Sequence, residues 1–263
     1  MELENKAVIE IEDLEMSFGS KKVLKGISLQ VYPGQVIGYI GPNGAGKSTT
    51  IKIILGLLSG HTGKIKIFGN EISKDSIEYK KRIGYVPENA EIYDTLTARE
   101  YLTFIGELYG KDSKDVEHKA KRMMKIFGIE DVFNSRISSY SKGMKQKVLI
   151  ISSLLHNPDV LFLDEPLSGL DANSVIIVKE ILAELSKKGK TIFYSSHIMD
   201  VVEKISNRIV LLQSGSILAD GSFSELRDKS QDSSLEEIFN ELTGFNQHKE
   251  MAKEFISILE EEY

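Results

Sequence analysis

A chain of 263 residues with 41 % hydrophobic and 27 % charged residues can bury one large core or two lobes. It has no cysteine, which excludes disulfides and thiolate metal sites, and no run of roughly 18 apolar residues, which excludes a membrane-spanning helix. The net charge of −6 offers no basic stripe, so no nucleic-acid partner is expected. The opening Met1-Glu-Leu-Glu-Asn lacks the basic and apolar regions of a signal peptide, and a cytoplasmic protein is expected.

The first elements alternate apolar and polar residues. Ala7-Val-Ile-Glu-Ile-Glu, Lys21 to Val31 and Lys64-Ile-Lys-Ile-Phe-Gly69 read as antiparallel strands with one wet face. Later strands differ in kind. Val36–Ile40, Val160–Leu163, Thr191–Tyr194 and Ile209–Leu212 are short continuous apolar runs, as a parallel sheet covered on both faces requires. Residues 98–156 carry helical spacing, broken at Gly110, Gly128 and Gly143. Thr97 and Glu100 have capping-box spacing. A helix is predicted over Asn173–Lys188, with Asp171 near its start and Gly189 after its end. Arg227–Ser234 reads as a linker. Residues 223–263 hold eleven Asp or Glu against four Lys or Arg and read as a solvated amphipathic tail.

The densest signal is Gly41-Pro42-Asn43-Gly44-Ala45-Gly46-Lys47-Ser48-Thr49, which fills G-x-x-x-x-G-K-[ST] without departure. An apolar strand precedes it and a helical pattern follows, so its backbone N–H groups and the helix N-terminus can cradle phosphates. Lys47 is expected to reach the outer phosphates, and Ser48 to ligate magnesium. Val160-Leu-Phe-Leu-Asp164-Glu165-Pro166 delivers two carboxylates to the end of a buried strand. Asp164 is then a second magnesium ligand and Glu165 a general base toward a γ-phosphate. His197 follows the apolar run Thr191–Tyr194 and could orient the attacking water. The phosphate loop alone would admit kinases, GTPases and helicases.

Taken together, the motifs resemble those of ABC-type ATPases. Tyr140-Ser141-Lys142-Gly143-Met144-Lys145-Gln146 is similar to the Leu-Ser-Gly-Gly-Gln signature, with Lys142 in place of the first glycine. Ser168-Gly-Leu-Asp171 resembles the D-loop, and Tyr85-Val-Pro-Glu88 the loop that usually ends in Gln. Phe18 stands where the family places an aromatic that stacks on adenine. The resemblance runs in order from Phe18 to about Gly221 and implies an α/β fold. That fold has a P-loop NTPase core with a parallel sheet, an antiparallel β layer and an inserted helical subdomain. The expected division is 1–88 and 145–222 for the core, 89–144 for the helical subdomain carrying the signature, and 223–263 for a helical tail.

The resemblance further implies ATP and Mg2+ as ligands. Nucleotide contacts would come from Phe18, residues 41–49, Glu88, Ser141, Gly143 and Asp171, and metal contacts from Ser48, Asp164 and Glu88. It implies a head-to-tail dimer with a second ATP-binding subunit, in which each nucleotide lies between one phosphate loop and the partner's signature. It also implies a separate integral membrane permease, which would hold the subunit on the cytoplasmic face. Ser234-Leu-Glu-Glu-Ile-Phe-Asn-Glu-Leu-Thr-Gly244 resembles the C-terminus of bacterial export cassettes. The alternative, a soluble ABC ATPase acting on a ribosome or DNA complex, would usually carry two cassettes or long coiled-coil insertions. A cassette that binds without turnover is disfavoured by Glu165 and His197. Ile92, Tyr93, Leu96 and Tyr101 supply more apolar surface beside Glu88 than a connector needs; either they pack inside the insert, or some of them line a groove that receives a short helix of the permease.

Overall fold

The computed structural model describes residues 6–72, 77–89, 92–196, 198–230, 234–244 and 248–260. In chain order the first elements are β1 (Ile9–Phe18), β2 (Lys21–Val31), β3 (Val36–Ile40), α1 (Lys47–Ile54), β4 (Thr62–Ile67), β5 (Asn70–Glu71) and β6 (Ile83–Val86). Three helices follow, α2 (Ala98–Leu108), α3 (Ser113–Ile126) and α4 (Lys142–Leu154). The second half of the core is β7 (Val160–Asp164), α5 (Ala172–Lys187), β8 (Thr191–Ser195), α6 (Met199–Ile205), β9 (Arg208–Gln213) and β10 (Ser216–Gly221). The tail forms α7 (Phe223–Ser230), α8 (Leu235–Thr243) and α9 (His248–Leu259).

Two sheets result. One is antiparallel in the order β2-β1-β4-β5; the other runs β10-β9-β3-β8-β7-β6. In the second, only β10 pairs antiparallel among the described strands, and β9, β3, β8, β7 and β6 are mutually parallel. The continuous apolar runs are explained by where alternate side chains go. Ile37, Tyr39, Phe162, Phe193, Val210 and Leu212 join a core shared with α1 and the antiparallel sheet. Their neighbours Val36, Ile40, Leu161, Leu163, Ile192, Tyr194, Ile209 and Leu211 join a second core under α4, α5 and α6. A strand buried on both faces cannot alternate apolar with polar.

The helical insert is fastened by its caps. Thr97 Oγ1 accepts from Glu100 N–H at 3.1 Å, and Glu100 Oε2 accepts from Thr97 N–H at 2.8 Å, completing the predicted box. Tyr101 and Leu102 of α2 are buried, as are Val116, Ala120 and Met124 of α3. Lys119 Nζ donates to the Leu155 carbonyl at 2.7 Å, and Tyr109 stacks on His156 with centroids 3.7 Å apart, tying the insert to the end of α4. Gly143 lies in the first turn of α4, which the signature opens, so the 144/145 border drawn from sequence falls within a helix.

The tail differs from its expectation. Arg227–Ser230 belongs to α7, whose start is held by Ser222 and Glu225 in a reciprocal cap that the linker reading overlooked. Leu226 of α7 is buried in the second core, and so are Leu235 and Ile238 of α8. The i, i+3, i+7 spacing of Leu235, Ile238 and Leu242 gives α8 one apolar face, and that face docks. Among the described residues α9 is exposed from Glu250 onward, with Met251, Phe255 and Ile258 each more than half exposed. No helix among the described residues is long and apolar enough to cross a membrane.

Candidate functional site

The sheet delivers its chemistry at one edge. β3 ends at Ile40 and passes into the phosphate loop; β7 ends at Asp164 beside Ser195 of β8. A cleft of about 280 Å³ opens there. It is lined by Asn43 to Thr49 of the loop, by Glu88, Asp164 and Glu165, and by Phe18, Lys21 and Val23 of the β1–β2 hairpin. Sequence placed Phe18, residues 41–49, Glu88 and both acids at one site; the fold brings Phe18, Asn43–Thr49, Glu88 and both acids together, whereas Gly41 and Pro42 line a separate cleft. Lys21 and Val23 were missed, because on a half-exposed alternating strand nothing local marks which polar face meets a ligand.

Local geometry shows why these residue types occur here. Gly46 has φ of 111°, and a Cβ there would lie 2.5 Å from Leu24 Cδ2. Only glycine permits that turn and that approach. It is the N-cap of α1, and a helix start offers free N–H groups to an anion. Thr50, fully buried, donates to the Gly46 carbonyl at 3.0 Å and accepts from Tyr39 Oη at 3.2 Å, pinning the loop to β3. Lys47 Nζ donates to the Gly41 and Pro42 carbonyls at 2.6 and 3.3 Å. Burial pulls the Lys47 pKa below the ordinary lysine value, against the opposing pull of Glu165, Asp164 and Glu88. Tyr85 is pushed up to about 12 by burial, with Asp164 and Glu88 adding to the rise.

Asp164 is 3 % exposed, a buried carboxylate aimed at the cleft beside Ser48. Glu165 has φ of 48°, in the left-handed region that non-glycine residues avoid. Its N–H donates to the Ser195 carbonyl at 2.9 Å, and its Oε2 accepts from Ser196 Oγ at 3.1 Å. Sequence reading missed the Ser196 contact, since it joins residues 31 apart. His197, assigned from sequence, lies outside the described residues.

The signature residues stand apart from the cleft. Ser141 caps α4, accepting from Met144 N–H at 3.2 Å. A Cβ on Gly143 would come within 2.5 Å of the Gly169 carbonyl oxygen, so the helix start and the D-loop touch backbone to backbone. Lys142 bends back over Gly169, and its Nζ donates to Ser168 Oγ at 3.0 Å. Gln146, buried, donates to the Pro166 carbonyl at 3.0 Å. Asp171 caps α5 through Ser174 N–H at 2.9 Å and pairs with Lys147 at 2.9 Å. Its hydrogen bonds with Ser174, then with Lys147, hold its carboxyl well below the usual range. Ser141, Gly143 and Asp171 therefore form a second face of the same subunit and do not line its phosphate cleft.

A magnesium ion fits the donors present. Among the described residues no group of three or more His, Asp or Glu could hold a metal alone. One hydroxyl and one or two carboxylates, with the remaining ligands from phosphate and water, is the arrangement magnesium favours. Ser48, Asp164 and Glu88 line one cleft and meet that description.

A strand, a phosphate loop, a helix and two carboxylates at the end of a neighbouring parallel strand define a P-loop nucleotide-binding protein. Comparison narrows this. The family model described as "ABC transporter" matches residues 24–168. The chain is 35 % identical over 237 residues to "ABC transporter ATP-binding protein NatA" of Bacillus subtilis, covering 88 % of this chain and 96 % of that protein. It is 36 % identical to "Linearmycin resistance ATP-binding protein LnrL" of the same organism, covering 83 % and 70 %. A solved structure described as an "ATP binding subunit of ABC transporter" superposes with a TM-score of 0.84 at 33 % identity, over 90 % of this chain and 99 % of that one. The chain belongs to the ABC transporter family, as an ATP-binding subunit.

Proposed function

We propose that this subunit binds Mg-ATP in the cleft beside Phe18, dimerises head to tail around it, hydrolyses it and drives a separate membrane permease. One observation carries the reading: the phosphate loop, two successive carboxylates and an exposed aromatic line a single cleft. Phe18, 48 % exposed at the end of β1, offers a face on which adenine stacks. The loop amides and Lys47 hold the phosphates; Ser48 and Asp164 would hold a magnesium ion, which would supply positive charge beside them. Glu88 adds a carboxylate to the cleft that would help to hold such an ion, though it cannot donate as the family's Gln would.

Glu165 acts as the base. Ser196 and the left-handed turn fix its carboxylate at the cleft edge. It takes a proton as the water oxygen bonds to the γ-phosphorus. The bond from that phosphorus to the bridging oxygen breaks, and ADP leaves with the electron pair. His197, on its sequence position alone, senses the γ-phosphate. In the dimer, Ser141 and the N–H groups at the start of α4 face the partner's nucleotide, and Asp171 orders the loop behind them.

Attachment to the cytoplasmic face would come through the permease. The docking surface on this side is the aromatic patch of Tyr93 and Phe104, whose centroids lie 6.5 Å apart, with exposed Leu108 nearby on α2. Tyr101, by contrast, is buried, and Ile92 and Leu96 pack against the core. Export is supported by the Ser234–Gly244 segment, which folds as the capped helix α8, and by a relative named for linearmycin resistance.

Glu165→Gln tests the reading, since it removes the base and keeps the shape. Turnover should fall by about 10²–10⁴-fold with ATP affinity retained, and ATP should trap a dimer visible by light scattering. Hydrolysis near the wild-type rate would refute the assigned role.

A further inference from the structure

A second cleft, of about 550 Å³, opens on the other side of the phosphate loop. Pro42 forms one edge; Ile198 and Met199 at the start of α6, and Phe239 of α8, give it apolar walls; Asp200 and Glu236 add two carboxylates. The wall contributed by the tail is firmly built. Leu235 and Ile238 are fully buried, Leu235 N–H donates to Glu203 Oε2 at 3.2 Å, and Gln213 Nε2 donates to the Thr243 carbonyl at 3.0 Å. Apolar walls with an acidic lining fit an apolar side chain accompanied by a cation.

The same chain presents such a group. Ile176 of α5 is 59 % exposed, and Lys179 follows three residues later on the same helical face, with Glu180 beside it. This face is rigidly joined to the signature. Gly143 abuts Gly169, Lys142 reaches Ser168, and Lys147 pairs with Asp171 at the head of α5. Signature and first turns of α5 thus form one ridge. In the head-to-tail dimer proposed above, that ridge would face the partner's phosphate loop, whose Pro42 also edges the second cleft.

We infer that the tail helix α8 completes a socket for a second copy of this chain: Ile176 of one protomer seats against Ile198 and Phe239 of its partner, and Lys179 pairs with Glu236. The inference rests on the head-to-tail dimer proposed above. It gives the acidic tail a role in assembly, and it joins the closed dimer to α6, which starts two residues after His197.

The absence of native cysteine makes the test clean. In the Glu165→Gln background, Ile176→Cys and Glu236→Cys are prepared separately; both positions are exposed. With ATP and magnesium, a short bismaleimide should cross-link the mixture to a dimer, and neither variant alone. Omitting ATP should abolish the product. In uncross-linked protein, Lys179→Glu and Glu236→Lys should each weaken ATP-driven dimerisation about fivefold, and the pair combined should recover it. A dimer seen by light scattering without the mixture-specific cross-link overturns the socket and leaves the dimer standing. Cross-linking in either variant alone, or without ATP, overturns the socket likewise. Absence of any ATP-dependent dimer overturns both readings.

Discussion

Gly143→Ala probes the contact that joins signature to D-loop. The added methyl would stand 2.5 Å from the Gly169 carbonyl oxygen, whereas ordinary contact begins near 3.4 Å. The obstructing atom is backbone, so neither side can yield by rotating a side chain. Overpacking of this kind costs about 1–3 kcal/mol. Alanine returns roughly 0.5–1 kcal/mol through its better helix propensity. The balance is a loss of up to about 2.5 kcal/mol, which for a chain of this size lowers Tm by up to roughly 10 °C. The larger effect falls on function. Relieving the clash moves the start of α4, with Ser141, by close to 1 Å, and a misplacement of that order can cost about 10²-fold in rate. Thermal unfolding, nucleotide binding to the isolated subunit and phosphate release should be measured together. Reduced Tm and much reduced turnover, with unchanged nucleotide affinity, are expected. Wild-type Tm and turnover would refute the claim that this approach is required.

Three further outcomes follow from the geometry. Lys47 titrates below the ordinary lysine value of 10.5, and burial favours its neutral form in the fold. ATP affinity should therefore fall as pH rises toward that value, earlier than an unshifted lysine would allow, while this group's own contribution to apo stability improves; affinity that stays flat over that range rules out Lys47 as the phosphate clamp. Ile238→Ala should cost about 2–5 kcal/mol, because it empties a fully buried site under α8, whereas Phe255→Ala on exposed α9 should stay within about 0.5 kcal/mol; equal effects in denaturant titrations would contradict the division of the tail. Tyr93→Asp should spare ATP binding by the isolated subunit but weaken co-purification with the permease and transport, and normal values of both would place the docking surface elsewhere.

Legibility in the sequence followed the range of the interaction. The phosphate loop, the carboxylate pair after an apolar run and the Thr97–Glu100 cap are encoded within a few residues, and each of these segments folds as its local pattern suggests. The strand classes were legible too, since burial on one face or two leaves different periodicities. Other features were decided only when distant segments met. Ser196 gains its meaning by reaching Glu165, and Lys142 by reaching Ser168, 26 residues away. The acidic tail was read as one solvated helix because charge dominates its composition. Yet Leu235 and Ile238 are enough to bury α8, while the equally apolar Phe255 and Ile258 of α9 stay exposed. Periodicity shows that a helix has an apolar face; whether a surface lies within reach to cover it depends on where the rest of the chain has folded.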